Sequence, residues 1–329
     1  MSKICVRLMA LMLFVLFAVQ AEVSVPSIFG SRMVLQRGQA NPVWGWAAPG
    51  EKISVTFAGQ KHTATASKDG AWRVKLQPLK ANAKGQTLTI QGSNKLELID
   101  VLVGDVWVCS GQSNMAWSVD RSYDPDLESL TAKFPNIRLI SVPPVGTQEP
   151  QKDFNGEWVA ASPESVMSFS AVGFFFGRTL HQAINVPVGL IDNAWGGSAA
   201  EAWVRRDLLN KLPAAAPYMA TWKQTEANYD HEKTMATYEA RLKKWQTAAA
   251  AARKAGKPAP QRPRNPRNPL TGQHRPGNLY NGVLKPFIGY GIKGAIWYLS
   301  LIHISEPTRP ERRAYSGLGV KKNRGGWGG

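Results

Sequence analysis

The chain has 329 residues, of which 43% are hydrophobic, and its 40 Lys and Arg against 23 Asp and Glu give a formal net charge of +17. The length allows about two ordinary domains and the apolar fraction is enough for packed cores, which excludes a disordered chain and a small disulfide scaffold. A charge of this size is typical of proteins that bind polyanions, so its distribution along the chain decides what it means.

The first 21 residues have the pattern of a secretory signal. Lys3 and Arg7 precede an unbroken apolar run over residues 8–19, and small residues follow at the positions that signal peptidase reads. The run of about 12 residues is roughly half of what a membrane-spanning helix needs, and no later stretch is long and apolar enough to span a bilayer. We therefore expect cleavage after residue 21 and a secreted or periplasmic protein, with Cys109 as its single thiol.

Residues 22–100 alternate apolar and polar side chains in short runs, for example Ile53-Val55-Phe57 and Trp72-Val74-Leu76. Turn residues separate the runs at intervals of roughly ten residues, which predicts an N-terminal antiparallel β-sandwich. Trp44 and Trp46 lie two apart on one of these strands and so share a face. That face is either part of the core or a platform on which a sugar ring stacks.

Residues 101–298 alternate strands with helices, which predicts an α/β domain whose parallel sheet is covered on both faces. The predicted elements are strands over 103–109, 136–142, 187–192 and 292–298, a helix over 172–184 and a further helix near Glu201. Active sites of such folds lie outside the carboxyl ends of the strands. The turns after Cys109, Asn193 and Trp297 are therefore the candidate positions.

Much of the positive charge falls in one region, the predicted insert over residues 214–270. Nine basic residues and no acid lie between positions 241 and 267: Arg241, Lys243, Lys244, Arg253, Lys254, Lys257, Arg262, Arg264 and Arg267. The spacing predicts a helix over 225–255 and an irregular segment over 257–269. This region is either a patch for an anionic glycan or surface, or a solvated helix face with a flexible linker. No nucleic-acid motif is present, so no nucleic-acid partner is expected.

The segment Ser110-Gly111-Gln112-Ser113-Asn114-Met115 follows a buried strand and is predicted to open a helix. Unpaired N–H groups at such a position can hold the oxyanion of a tetrahedral intermediate, which makes Ser113 a candidate nucleophile. The alternative is a simple helix cap. Met115 stands where a nucleophile elbow has its second glycine, which argues against the α/β-hydrolase arrangement.

Residues 104–115, Gly-Asp-Val-Trp-Val-Cys-Ser-Gly-Gln-Ser-Asn-Met, resemble the nucleophile block of the sialate O-acetylesterase family of SGNH/GDSL-type hydrolases. Further matching segments follow in order along the chain: 33–37, 44–46, 195–197, 201–203, 279–282 and 293–298. The resemblance implies an α/β flavodoxin-like SGNH hydrolase domain after the β-sandwich.

The resemblance also implies the chemistry. Ser113 would attack an O-acetyl ester on sialic acid or another acetylated carbohydrate, and the N–H groups of Ser113 and of Gly196 or Gly197 would hold the oxyanion. No cofactor or metal is expected, and the partner is an acetylated sugar or glycan. The alternative is a non-catalytic secreted glycan-binding protein. The acetylated sugar and the oligomeric state stay open.

The family pattern stops at Tyr298, and residues 299–329 match nothing in it. Residues 300–310 resemble the translated read-through of a sequencing adapter, which predicts a truncated or chimaeric reading frame with an incomplete hydrolase domain. The family's late Asp-x-x-His pair is absent, because none of the five histidines, His303 included, has an aspartate three residues before it. The chain as printed is therefore expected to be nearly inactive.

Overall fold

One long strand, β7 (Lys95–Gly111), runs through the computed structural model, which describes residues 22–299. The predicted signal and the tail beyond Leu299 lie outside the described residues. The first part of β7 alternates exposed and half-buried side chains, whereas residues 101–111 are almost all buried. This change is what a strand shows when it passes from an open sheet face into a sheet covered on both faces. The predicted domain boundary at 100/101 falls inside this strand.

Short strands precede β7, where the period-two alternation predicted them. They are β1 (Val34–Gln36), β2 (Asn41–Trp46), β3 (Lys52–Phe57), β4 (Gln60–Thr65), β5 (Ala71–Leu76) and β6 (Asn82–Gln91). The sheet runs β4-β3-β6-β7 with antiparallel pairs, and β1 pairs with β7 in parallel. The pair β2-β5 forms a separate antiparallel ribbon. The half-buried Trp44 packs edge-on against Phe29, with ring centroids 4.6 Å apart, so its ring is engaged in packing.

The second half of β7 belongs to a mixed sheet with helices. Its other strands are β8 (Phe134–Ser141), β9 (Val159–Ala161), β10 (Val188–Asp192) and β11 (Gly294–Tyr298). The strands β8-β10-β7-β11 are parallel in that order, and β9 pairs antiparallel with β8. The mixed sheet with helices confirms the α/β class of this region.

Five α-helices accompany the strands in the described part of the chain: α1 (Pro125–Thr131), α2 (Ala171–Ile184), α3 (Arg206–Leu209), α4 (Ala216–Asn228) and α5 (His231–Lys254). Helix α2 lies directly on the sheet, because a Cβ at Gly173 would stand 2.8 Å from Cys109 Sγ and one at Gly177 2.6 Å from a methyl carbon of Leu190. No helix among residues 22–299 is both long and apolar enough to cross a membrane.

The basic region differs from its prediction in one respect. The single helix predicted over 225–255 is two helices, α4 and α5, with a break at Tyr229 and Asp230. The side chain of Asp230 accepts a hydrogen bond from the Lys233 N–H and caps α5, which explains why a new helix begins there. Residues 257–268 are irregular, as predicted. Near Glu201 the expected helix is one 3-10 turn, Ala200–Trp203.

An ion pair joins the N-terminal strands to β7. The guanidinium of Arg37 donates to both carboxylate oxygens of Asp105, over 2.9 and 2.8 Å, and Gln36 Nε2 donates to the same carboxylate over 3.1 Å. Asp105 is only 4% exposed. Burial opposes its ionisation, but the hydrogen bonds from Arg37 and Gln36 hold the pKa of Asp105 below its usual value. The sequence motifs 33–37 and 104–115 therefore meet in space.

Replacing Arg37 by Met should destabilise the protein by about 3 kcal/mol, because a buried carboxylate is then left without its cation. Since the folded pKa of Asp105 is lowered, this stabilisation is present above the unfolded pKa and is lost as the pH falls through the folded one. Urea unfolding at pH 7 and at about pH 3 measures it. Arg121→Met, which removes an exposed cation that forms no salt bridge within residues 22–299, is the control. Equal losses of unfolding free energy in both variants would contradict a stabilising Arg37–Asp105 ion pair.

Candidate active site

The three predicted turns meet at the carboxyl edge of the parallel sheet. The Gln112 N–H donates to the Tyr298 carbonyl at the end of β11, over 3.0 Å. The Trp195 N–H, in the turn after β10, donates to the Gly111 carbonyl, also over 3.0 Å. The chain ends of β7, β10 and β11 are thereby fixed to one another, where sites of α/β sheets lie.

Ser113 lies exposed in a single turn, and no helix begins there. The N–H groups of Met115 and Ala116 both donate to the Gln112 carbonyl over 2.9 Å, but the chain then becomes extended. The Ala171 N–H donates to the Trp117 carbonyl over 2.8 Å. The predicted helix opening at Ser113 is wrong, because pairing with the segment before α2 takes the backbone that a helix would need.

Ser170 fastens this turn to α2. Its Oγ donates to the Met115 carbonyl over 2.6 Å and accepts from the Gly173 N–H over 3.0 Å, so it caps the helix and holds the turn at once. The sequence analysis missed this residue. A serine immediately before an amphipathic helix was the signal that could have identified it as an N-cap.

Gly111 is required where β7 becomes the Ser113 turn. Its φ of +133° lies in a region that side-chain-bearing residues rarely adopt, and a Cβ there would stand 2.2 Å from the Tyr298 carbonyl oxygen. The contact is with backbone that is itself hydrogen-bonded, so it cannot move away cheaply. Gly111 therefore sets how closely β11 approaches the turn.

The turn after β10 places Gly196 against Ser113. A Cβ at Gly196 would lie 3.6 Å from both Cα and Cβ of Ser113, which is ordinary van der Waals contact. At Gly197 the φ is +70° and a Cβ would face Gln273 Nε2 at 3.5 Å instead. Among residues 22–299 no acceptor pairs with the N–H of Ser113 or of Gly196. Of the two glycines, Gly196 is the one beside the serine.

An open cleft of about 430 Å³ extends from Gly196. Trp195 and Gly196 line one side, and Arg267, Asn268 and Gln273 line the other. The Gln273 amide donates to the Gly196 carbonyl over 3.4 Å. The end of the basic segment thus borders the candidate site.

Of the four histidines among residues 22–299, three have ring partners other than Ser113, and the fourth is His274, whose backbone carbonyl accepts from the Tyr218 hydroxyl. His62 contacts Gln60, His181 Nδ1 contacts the Val186 carbonyl over 2.7 Å, and His231 contacts the Tyr229 hydroxyl. No hydrogen bond joins a histidine ring to Ser113 within residues 22–299. His303 lies outside the described residues. No group of three or more His, Cys, Asp or Glu is placed to hold a metal ion in that same span.

Asp192 ends β10 close to this site. Its carboxylate accepts from the Ala194 N–H over 3.1 Å, at the start of the turn that carries Gly196. Burial raises the pKa of Asp192 to about 6, although hydrogen bonds from the backbone of Ala194 and Ser170 oppose the rise. The carboxyl group is therefore half-protonated near pH 6.

Comparison with known proteins shows similarity to one family of esterases. Residues 103–255 match the family described as "Carbohydrate esterase, sialic acid-specific acetylesterase". The resemblance to the sialate O-acetylesterases is confirmed. The human sialate O-acetylesterase is 34% identical over 197 residues, and that of Pongo abelii is 27% identical over 302 residues, or 86% of this chain.

A solved structure supports the same relation. The crystal structure of XAC1771, a carbohydrate acetylesterase from Xanthomonas citri, matches 84% of this chain and 51% of its own with 30% identity and a TM-score of 0.61. The chain spans 38% of the human relative and 49% of the Pongo abelii relative, that is, about half or less of the curated relatives it matches.

Gly111→Ala should destabilise the protein by about 3 kcal/mol, because it adds a clash with backbone to an unfavourable φ. Gly38→Ala is the matched control, since Gly38 has a φ of +74° but nothing within 4 Å of an added Cβ. We expect it to cost only about 1 kcal/mol. Thermal unfolding of both variants measures the difference, and equal losses would show that no close approach to Tyr298 exists.

The raised pKa of Asp192 predicts a pH-dependent stability. A carboxyl group whose folded pKa lies above the unfolded one stabilises the protein at low pH, and that contribution is lost as the pH rises from about 4 to about 6. Asp192→Asn should abolish this fall in the free energy of unfolding and leave a more stable protein at pH 7. Urea unfolding between pH 4 and 8 tests it, and an unchanged profile would contradict a buried Asp192.

Proposed function

We propose that this protein hydrolyses O-acetyl esters on carbohydrates through an acyl-serine intermediate. The observation that carries the proposal is the exposed Ser113, on a turn fixed at the sheet edge and close to Gly196, where an added Cβ would lie 3.6 Å from the serine. The relation to sialate O-acetylesterases and to a carbohydrate acetylesterase supports the substrate class.

In the proposed reaction Ser113 Oγ attacks the acetyl carbonyl carbon, and the carbonyl oxygen becomes an oxyanion. The bond from this carbon to the sugar oxygen then breaks, and the sugar oxygen takes up the proton that Ser113 loses and leaves as a hydroxyl group. Water then hydrolyses the acetyl-serine, which releases acetate and restores the serine hydroxyl. The N–H groups of Ser113 and Gly196 are the proposed donors to the oxyanion, because both are unpaired within residues 22–299 and the turn that carries Gly196 lies close to Ser113.

We assign no described histidine as the base of this reaction. The rings of His62, His181 and His231 contact other groups, as given above. A serine that lacks a paired base keeps the weak nucleophilicity of an alcohol. Slow turnover by the printed chain is therefore part of the proposal.

We also propose a flavodoxin-like sheet, an N-terminal β-sandwich and export of the protein. Strands β10-β7-β11 correspond to the 2-1-3 order of a flavodoxin-like sheet, with β8 added outside β10. The sheet β4-β3-β6 and the ribbon β2-β5 contribute buried apolar side chains to one core cluster, which supports a β-sandwich. Export after cleavage at residue 21 is the proposed route, on the pattern of the first residues.

Acetate release from O-acetylated sialic acid and from acetylated xylan tests the proposal. The printed chain and the product of the uninterrupted genomic reading frame would each be compared with their Ser113→Ala variants. We expect the faster of the two proteins to lose activity by a factor of about 10⁴ or more. If neither exceeds its Ser113→Ala variant, the proposed function is wrong, and glycan binding without turnover would then favour a binding protein.

Comparing Gly196→Ala with Gly197→Ala shows which of the two glycines is the proposed oxyanion donor. The added methyl group fits sterically, since it would lie 3.6 Å from Ser113, so the stability should change little. It occupies space directly in front of the nucleophile, and we expect kcat to fall by about 10²-fold, the size of a lost oxyanion donor. Gly197→Ala should lower stability through its φ but affect kcat less. The opposite order of kcat losses would assign the donor to Gly197.

A further inference from the structure

The basic segment after α5 is held in place along that helix. The Trp245 indole N–H donates to the Pro260 carbonyl over 2.7 Å, and the Arg262 guanidinium lies over the same indole ring, 5.6 Å from its centroid. A hydrogen bond and a cation–π contact to one side chain fix the segment at two neighbouring points. The proline-rich segment therefore lies alongside α5 and contacts it through Trp245.

A cleft of about 570 Å³ lies between the proline-rich segment and α5. Lys233, Arg241 and Arg264 line it, together with Tyr238 and the hydroxyl-bearing Thr234 and Thr237. None of the three cations forms a salt bridge within residues 22–299. The hydroxyl groups of Thr234 and Thr237 donate to the Asp230 and Lys233 carbonyls and keep the capacity to accept. The cleft thus combines unpaired positive charge with hydroxyl oxygens that can accept hydrogen bonds.

The proline-rich segment runs from this cleft to the candidate active site. Arg264 lines the cleft at α5, and Arg267 lines the cleft that contains Gly196. Three residues of extended chain span at most about 10 Å. The two clefts are therefore neighbours along one basic segment, which lies beyond residue 255, where the family match ends.

We propose that these two clefts form one extended binding site for a carboxylated polysaccharide. Arg267 binds a carboxylate next to the acetylated sugar, and Arg241 and Arg264 bind carboxylates of sugars further along the chain. Guanidinium groups pair with carboxylates in a bidentate manner, and threonine and tyrosine hydroxyls suit sugar hydroxyls. The concave shape and the continuity with Gly196 favour a flexible acidic chain over a flat anionic membrane. The inference rests on the proposed esterase function and names its substrate class.

Binding of unacetylated acidic oligosaccharides, measured by calorimetry on the full Ser113→Ala chain, tests this without any turnover. Oligogalacturonate and oligosialic acid distinguish two sources of carboxylate, and xylo-oligosaccharide of equal length is the neutral control. We expect at least one acidic probe to bind, and the neutral one to bind at least about tenfold more weakly, a difference of ~1.4 kcal/mol.

Charge-matched variants locate the site. Arg264→Gln and Arg267→Gln should each weaken binding of the acidic probe by about tenfold, whereas Lys243→Gln and Arg253→Gln, which remove exposed cations of α5 that do not line the cleft, should change it less than about twofold. Equal losses in all four variants, or tighter binding to single-stranded DNA or to anionic vesicles, would overturn the proposal. Cleft-dependent binding without acetate release would contradict the esterase function alone, and acetate release without such binding would contradict this inference alone.

Discussion

Backbone pairing along β7 is the constraint on which the rest of the structure depends. This strand pairs with β6 and β1 in its first part and with β10 and β11 in its second, and it ends at the turn that carries Ser113. The Arg37–Asp105 ion pair closes the junction between the two parts. The position of Ser113, the proposed nucleophile, is therefore fixed by a strand anchored at both ends, which would favour catalysis because the reacting group needs no reorganisation.

The site is built where strand ends meet, and backbone hydrogen bonds join the ends of β7, β10 and β11. Gly111 allows the close approach of Tyr298, and Gly196 lies close to Ser113 in the neighbouring turn. Ser170 adds a side-chain hydrogen bond from α2. Such an arrangement leaves the N–H groups of Ser113 and Gly196 open to a ligand, which is the feature that an acetyl-transfer site requires.

Much of this arrangement could be predicted from the sequence, because period-two alternation and alternating strands and helices are local patterns. The meeting of three turns followed from the rule for parallel sheets. The helix at Ser113 was predicted wrongly, since the competing pairing of Trp117 with Ala171 is a long-range contact that local pattern does not reveal. The break before α5 was missed as well, although Asp230 is an N-cap residue, because the helical spacing from Met235 to Ala252 lies inside α5 and does not show where that helix begins.

The net charge of +17 takes on a local meaning in the structure. Ten of the Lys and Arg residues lie in α5 and the segment after it. Four of them line the two neighbouring clefts: Lys233, Arg241, Arg264 and Arg267. The charge is thus concentrated beside the candidate site, and the positively charged face can raise the local concentration of an acidic substrate.

A crystal structure with bound acetate, the product of the proposed reaction, would show whether Ser113 and Gly196 together form the oxyanion site. We expect one acetate oxygen within about 3 Å of the N–H groups of both residues, with the carboxyl carbon facing Ser113 Oγ. Acetate bound elsewhere, with Ser113 and Gly196 turned away from each other, would contradict it.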